Sequence, residues 1–121
     1  MDFKKQKPIF QQIADTLCER IVSDSQSPDY KSDGTERMPS VREVAVQLGV
    51  NPNTVVRTFD NLQQAGIIYN KRGVGYFVSP DATERIIALQ RKEFIEEDLP
   101  AFAQKMKLLG LTFADLEKLN Q

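Results

Sequence analysis

Four polar side chains fall at helical spacing in residues 51–65, NPNTVVRTFDNLQQA. At about 100° per residue, Asn53, Arg57 and Gln64 lie nearly opposite Val55, Phe59 and Leu62, with Thr54 and Val56 on the flanks. The exposed first half of such a helix offers Asn51, Asn53, Thr54 and Arg57. Amides, a hydroxyl and a guanidinium in that array can donate to phosphate oxygens or read base edges in a major groove. The backbone N–H groups at the helix start add donors suited to phosphate. On an isolated helix the same residues are an ordinary solvated face, so the neighbouring elements decide. Arg42 lies upstream, off the apolar face set by Val41, Val44, Ala45 and Leu48, where it can clamp a phosphate or pair with a nearby acid. Lys71, Arg72, Gly73 and Gly75 form a basic, glycine-containing centre downstream. Cations there suit the negative potential of a narrow minor groove, and glycines allow close backbone approach.

Other chemistries lack their residues. The 121-residue chain has no histidine and one cysteine, Cys18. That removes the usual zinc sites, Cys–His pairs and the Ser–His–Asp triad. There is no phosphate loop, and nothing calls for a cofactor or metal, so an enzyme is not expected. No apolar run reaches the ~18 residues of a membrane span. The N-terminal MDFKKQKPIF has no apolar core or small-residue cleavage site, so no signal peptide is expected. A lone cysteine fits a reducing cytoplasm, and Cys18 reads as a small, semi-buried hydrophobe rather than a redox sensor.

The elements that must hold the polar array can be read from caps and periodicity. Residues 8–22 form an amphipathic helix with Phe10, Ile13, Ala14, Leu17 and Ile21 on one face and Pro8 at its first position. Residues 23–37, rich in Ser and Asp with Pro28 and Gly34, read as a long mobile loop. Ser40 and Glu43 form a capping box for a short helix over 40–48, ended by Gly49. Asn51 caps the third helix and Pro52 opens it; Gly66 ends it. Two helices thus meet across Leu48-Gly49-Val50-Asn51, a helix-turn-helix pattern. Ile67, Ile68 and Tyr69, then Tyr76, Phe77 and Val78, flank the basic centre as a two-stranded hairpin, or wing.

The run from Met38 to Val78 resembles the winged-helix domain of the GntR family of bacterial transcription regulators, in particular its YtrA-like subfamily. The matching residues are Pro39-Ser40-x-Arg42-Glu43, Gly49-Val50-Asn51-Pro52-Asn53-Thr54-Val55 and Arg72-Gly73-x-Gly75-x-Phe77-Val78. The resemblance implies a homodimeric repressor, often of transporter genes, whose tail is two or three helices. It puts DNA contacts on Ser40, Arg42, Asn51, Asn53, Thr54, Arg57, Arg72, Gly73 and Gly75. Two departures stand out. Many family members carry arginine at the position of Val56, whereas here the cation is Arg57. The loop 23–37 is also longer than usual, which leaves a short strand before Met38 in question.

Residues 79–121 return to helix, starting at Ser79-Pro80-Asp81 and running to about Asp98, with a break expected at Pro100. Leu99, Phe102, Met106 and Leu109 then step by 3, 4 and 3, a helix–helix seam. Gly110 ends that helix. Thr112 and Asp115 cap a last one, whose Phe113, Leu116 and Leu119 add a second stripe. The expected fold is mainly α with a small β-hairpin: a winged helix-turn-helix over 1–79 and a helical dimerisation tail over 80–121. Folding back of the tail onto the winged domain is the alternative to dimerisation. A tail this short is not expected to enclose a small-molecule pocket alone.

The net charge is −1. Residues 1–78 hold 10 Lys+Arg against 9 Asp+Glu, and residues 79–121 hold 6 against 8. Few cations must therefore do the work, and two recognition helices on a palindromic double-stranded site would supply the missing affinity. A winged-helix protein–protein module is the rival reading. It would expose large apolar residues on the third helix, where this chain places Asn, Thr and Arg.

Overall fold

The computed structural model describes residues 7–120. Two compact units divide the chain, Lys7–Ala88 and the segment from Leu89 onward. In the first, α1 (Ile9–Asp24) is followed by α2 (Val41–Leu48), α3 (Pro52–Gln64), the antiparallel strands β1 (Ile68–Lys71) and β2 (Gly75–Val78), and the start of α4 (Ala82–Glu93). The core forms where their apolar faces meet. Ile13, Ala14, Leu17 and Ile21 of α1 pack with Val44 and Ala45 of α2, and with Val55, Phe59 and Leu62 of α3. Ile68 and Val78 close it from the sheet, and Ala82 and Ile86 from α4. The core thus reaches past residue 79 into α4. The Tyr76 ring packs edge-on against Phe59, with centroids 4.8 Å apart.

The caps shape the helix-turn-helix locally. Ser40 Oγ accepts the Glu43 N–H (3.0 Å), and the Glu43 carboxylate accepts the Ser40 N–H (3.1 Å). The Ser40 N–H, and after it the Ser40 hydroxyl, hold the Glu43 carboxyl below the usual carboxylate range. Gly49 takes the left-handed conformation (φ 65°) that a side chain would resist, and the Val50 N–H reaches back to the Ala45 carbonyl (3.1 Å).

The segment read as a mobile loop is tied down along its second half. Tyr69 Oη donates to the Gly34 carbonyl, and Gly34 is buried. Asp33 accepts bonds from the Thr35 N–H and hydroxyl. The Val78 N–H bonds to the Glu36 carbonyl and the Met38 N–H to the Tyr76 carbonyl, both at 2.8 Å, with a bridge between Arg37 and Phe77. A short extended segment therefore does precede Met38, laid along β2.

Beyond Ala88 the helical path passes through a π-helical turn, Phe94–Asp98, into α5 (Leu99–Leu108), and α6 (Phe113–Lys118) follows. The break expected at Pro100 is absent as a break. The Leu99 N–H bonds to the Phe94 carbonyl, five residues back. Widening the turn ahead of a proline accommodates its missing N–H and its ring without interrupting the helix. Thr112 and Asp115 form the capping box of α6. No helix among the described residues is long and apolar enough to cross a membrane.

Candidate nucleic-acid interface

The outward face of α3 carries Asn53, Val56, Arg57 and Asp60, all exposed, while Thr54 is half-buried at its margin. The opposite face is fixed by Val55, Phe59 and Leu62, and also by Thr58, which is fully buried. Thr58 Oγ1 lies 3.0 Å from the Phe10 carbonyl and 2.9 Å from the Thr54 carbonyl. This hydroxyl ties the start of α1 to α3. Across that junction the Arg57 guanidinium sits over the Phe10 ring, 4.1 Å from its centroid. Stacking of this kind contributes roughly 0.5–1 kcal/mol at an exposed site, and it aims Arg57 toward α1. The periodicity of α1 places Phe10 on its apolar face and carries no signal of either partnership.

Capping commits part of the array. Asn51 Oδ1 accepts the Asn53 N–H at 2.8 Å, so Asn51 faces outward with only its amide donors. Pro52 has no N–H, and the Thr54 and Val55 N–H groups bond to the Asn51 carbonyl at 3.0 and 3.3 Å. The first turn of α3 therefore spends its backbone donors internally, contrary to the expectation that they await phosphate. Side chains are the donors that remain at this end. The Asn53 side-chain amide carries no hydrogen bond among the described residues. Ser40 is exposed at the start of α2, its oxygen accepting the Glu43 N–H and its hydroxyl also facing the Glu43 carboxylate. Arg42 is exposed in the first turn of α2, with no ion pair among the described residues.

The wing is a two-stranded ribbon whose turn is Lys71-Arg72-Gly73-Val74, closed by Val74 N–H to Lys71 carbonyl at 2.9 Å. Gly73 has φ 79°, at the position where a type II turn demands a positive value. Arg72 is exposed at the tip, while Lys71 Nζ lies over the Phe77 ring, 4.9 Å from its centroid. Phe77 also stacks on Tyr69 at 5.8 Å. Arg37, absent from the sequence-based set, braces the wing. Its Nη2 donates to the Val74 carbonyl at 2.6 Å and its guanidinium lies 6.0 Å from the Phe77 centroid. A Cβ on Gly75 would come within 3.1 Å of Arg37 Nη2, so the glycine makes room for this brace.

Serine, asparagine and arginine donors on two helices, a capped glycine turn between them and a braced basic hairpin make up a winged helix-turn-helix interface. The sequence pattern described as bacterial regulatory proteins, gntR family, matches residues 10–78. The chain belongs to the GntR family. As a member it is a DNA-binding transcription regulator, and relatives of this kind are not enzymes. It is 38% identical over 110 residues to the uncharacterized HTH-type transcriptional regulator YhcF of Bacillus subtilis, covering 91% of this chain and 84% of that protein. It is 29% identical over 121 residues to the HTH-type transcriptional repressor YtrA of the same organism, covering 100% of this chain and 85% of YtrA. Among solved structures, a GntR-family transcriptional regulator from Bacteroides thetaiotaomicron matches with a TM-score of 0.74 and 36% identity, over 93% of each chain.

Cys18 lies on the core side of α1, away from this interface in kind. Burial, with Asp15 and Glu19 nearby, raises its thiol from the ordinary 9.0 to about 11. In the unfolded chain the thiol ionises near 9.0. Its contribution to stability is therefore intact below that value and is lost as pH rises from there through about 11. At pH 8 the native thiolate fraction is roughly 100-fold below that of a free cysteine, so iodoacetamide should label the native protein at least that much more slowly than the denatured one. Equal labelling rates would contradict the burial of Cys18.

Proposed function

We propose that the chain is a homodimeric repressor of a transporter-type operon, seating α3 in the major groove and the wing in the minor groove of a palindromic operator. The DNA-binding part is assigned to residues 1–79 and the dimerisation tail to 80–121, with the helix-turn-helix core drawing additional support from the start of α4. The contacts are assigned to Ser40, Arg42, Asn51, Asn53, Thr54, Arg57, Lys71, Arg72, Gly73 and Gly75. The observation that carries the reading is the outward face of α3 and the adjoining start of α2. There the side chains of Asn53 and Arg42 have no hydrogen bond or ion pair among the described residues, next to a basic hairpin held in place by Arg37. The repressor sense follows YtrA, which is named a repressor.

Dimerisation is assigned to Leu99, Phe102, Met106, Leu109, Phe113 and Leu116. The tail exposes large apolar side chains, with Phe113 at 81% and Leu119 at 79%. It also forms an open apolar groove of about 540 Å³ lined by Phe102, Met106, Leu109, Leu111, Leu116 and Leu119, along with Lys105 and Asp115. Monomeric soluble proteins rarely leave such a patch uncovered, and two-fold symmetry is its commonest cover. A groove of this size within the tail departs from the expectation that a tail this short forms none alone, and a second tail is the occupant proposed for it.

Arg42→Ala tests the interface. It should leave the thermal melt unchanged and weaken binding to a selected operator, with the slope of log affinity against log salt falling by about 1 per subunit. Fluorescence anisotropy across a salt series reads both. Wild-type affinity and slope would remove α2 from the backbone contact. Arg72→Ala with Lys71→Ala should cost most on operators with A·T-rich flanks, where the minor groove is narrow. Equal binding to all flanks by this double variant would leave the wing a structural hairpin only.

A further inference from the structure

Val56 is the anomaly on the outward face of α3. The other large apolar residues of this helix, Val55, Phe59 and Leu62, are at most 1% exposed, whereas Val56 is 44% exposed. At about 100° per residue it stands some 60° from Asn53, one turn further along, and about 100° from Arg57. It therefore belongs to the polar face and packs into no core. Arg57, the cation beside it, is drawn over the Phe10 ring at 4.1 Å. The one acid on the face, Asp60, lies in the third turn, beyond the half that enters a groove first. What remains at the centre of the leading half is an amide, Asn53, followed by two methyl groups.

We propose that Val56 is a specificity-determining residue that reads the C5-methyl group of a thymine in the major groove. This rests on the docking of α3 proposed above. The thymine methyl is the only apolar group that a base pair presents on the major-groove edge. Valine in a helix holds essentially one side-chain rotamer, so its methyls are already fixed and lose little freedom on contact. A residue hydrogen-bonded to the thymine O4 here would tolerate uracil, which keeps that acceptor. Valine disfavours uracil, because it offers no methyl to cover the side chain. The discrimination is thus made by burial of one methyl group, and its size is that of one such burial, roughly fourfold in affinity.

The test uses the full chain and the duplex it selects from a random pool. Each thymine of that duplex is replaced in turn by uracil, which keeps every hydrogen-bonding group and removes only the methyl. Wild-type protein should lose roughly fourfold at one thymine per half-site and little elsewhere. Val56→Ala, on an exposed position of good helix propensity, should fold normally by circular dichroism. It should bind the parent duplex several-fold more weakly and be indifferent to uracil at that same thymine. Three outcomes overturn the proposal while leaving the docking of α3 intact: no thymine is sensitive in wild type, Val56→Ala keeps the same sensitivity, or Val56→Ala binds the parent duplex like wild type. Failure of the full chain to select any duplex overturns the docking itself, and the reading of Val56 with it.

Discussion

A chain ending at Ala88 will sediment as a monomer and bind a palindromic operator roughly 100- to 10,000-fold more weakly than the full chain, while its affinity for a single half-site stays the same. The cut belongs after Ala88 because Lys7–Ala88 is a compact unit and because Ala82 and Ile86, each 1% exposed, complete its core. A cut after Ser79 would strip both and confuse lost association with lost folding. The size of the effect follows from charge. With a net charge of −1, each subunit brings few cations to phosphate, so a single half-site is held weakly. Joining two subunits makes the second half-site an intramolecular event, which adds affinity without adding a contact. In the proposed dimer, two-fold symmetry would also set half-sites about one DNA turn apart, ~34 Å. Sedimentation equilibrium and operator binding on both chains decide the matter. A truncated dimer, or a full-length monomer at micromolar concentration, would show that the tail has another purpose. Phe102→Lys with Leu109→Lys in the full chain should reproduce the loss, since both residues line the apolar groove of the tail.

The parts of this molecule that were legible in sequence are those whose determinants are close together along it. Ser40 and Glu43 are three residues apart, as are Thr112 and Asp115, and each pair forms its capping box. Gly49 and Asn51 frame the turn, and the alternation around Gly73 and Gly75 produces the hairpin. What was not legible depends on distant partners or on geometry without a periodic signal. Arg37 and Val74 are 37 residues apart, and Thr58 and Phe10 are 48 apart. Thr58 gives no hydrophobic signal, yet it is as buried as Val55 because its hydroxyl is satisfied by backbone carbonyls. The loop before Met38 has a disorder-prone composition, but the Tyr69 hydroxyl and the β2 edge supply the hydrogen bonds that fix it. At the interface, residue types alone showed the donors but not their commitments. Asn51 spends its acceptor on a cap, and Arg57 leans on Phe10. Both reduce what the leading turn can offer DNA, and neither is visible without the folded neighbours.

Phe59 anchors α3 from behind its outward face, and Phe59→Ala should cost about 3–5 kcal/mol of stability. The ring is fully buried at the centre of the core, between the faces of α1, α3 and the sheet, with Tyr76 edge-on against it. Truncation removes its apolar contacts and leaves a cavity that the flanking helices cannot collapse into, because Thr58 pins α3 to the Phe10 carbonyl one residue away. The lost edge-to-face pair adds to the transfer and cavity terms. A domain of this size has only about 5–15 kcal/mol to lose, so the variant should remain folded but melt well below wild type. DNA binding should then fail on heating at a lower temperature, in step with the melt, while at low temperature the affinity falls only modestly, since Phe59 touches no DNA in the proposed docking. Chemical denaturation with circular dichroism gives the stability change, and anisotropy at matched temperatures gives the binding. A loss under about 1 kcal/mol would mean that the ring is not the centre of the core. A large loss of affinity in the fully folded variant would mean that its packing, and not only its stability, sets the angle at which α3 is presented.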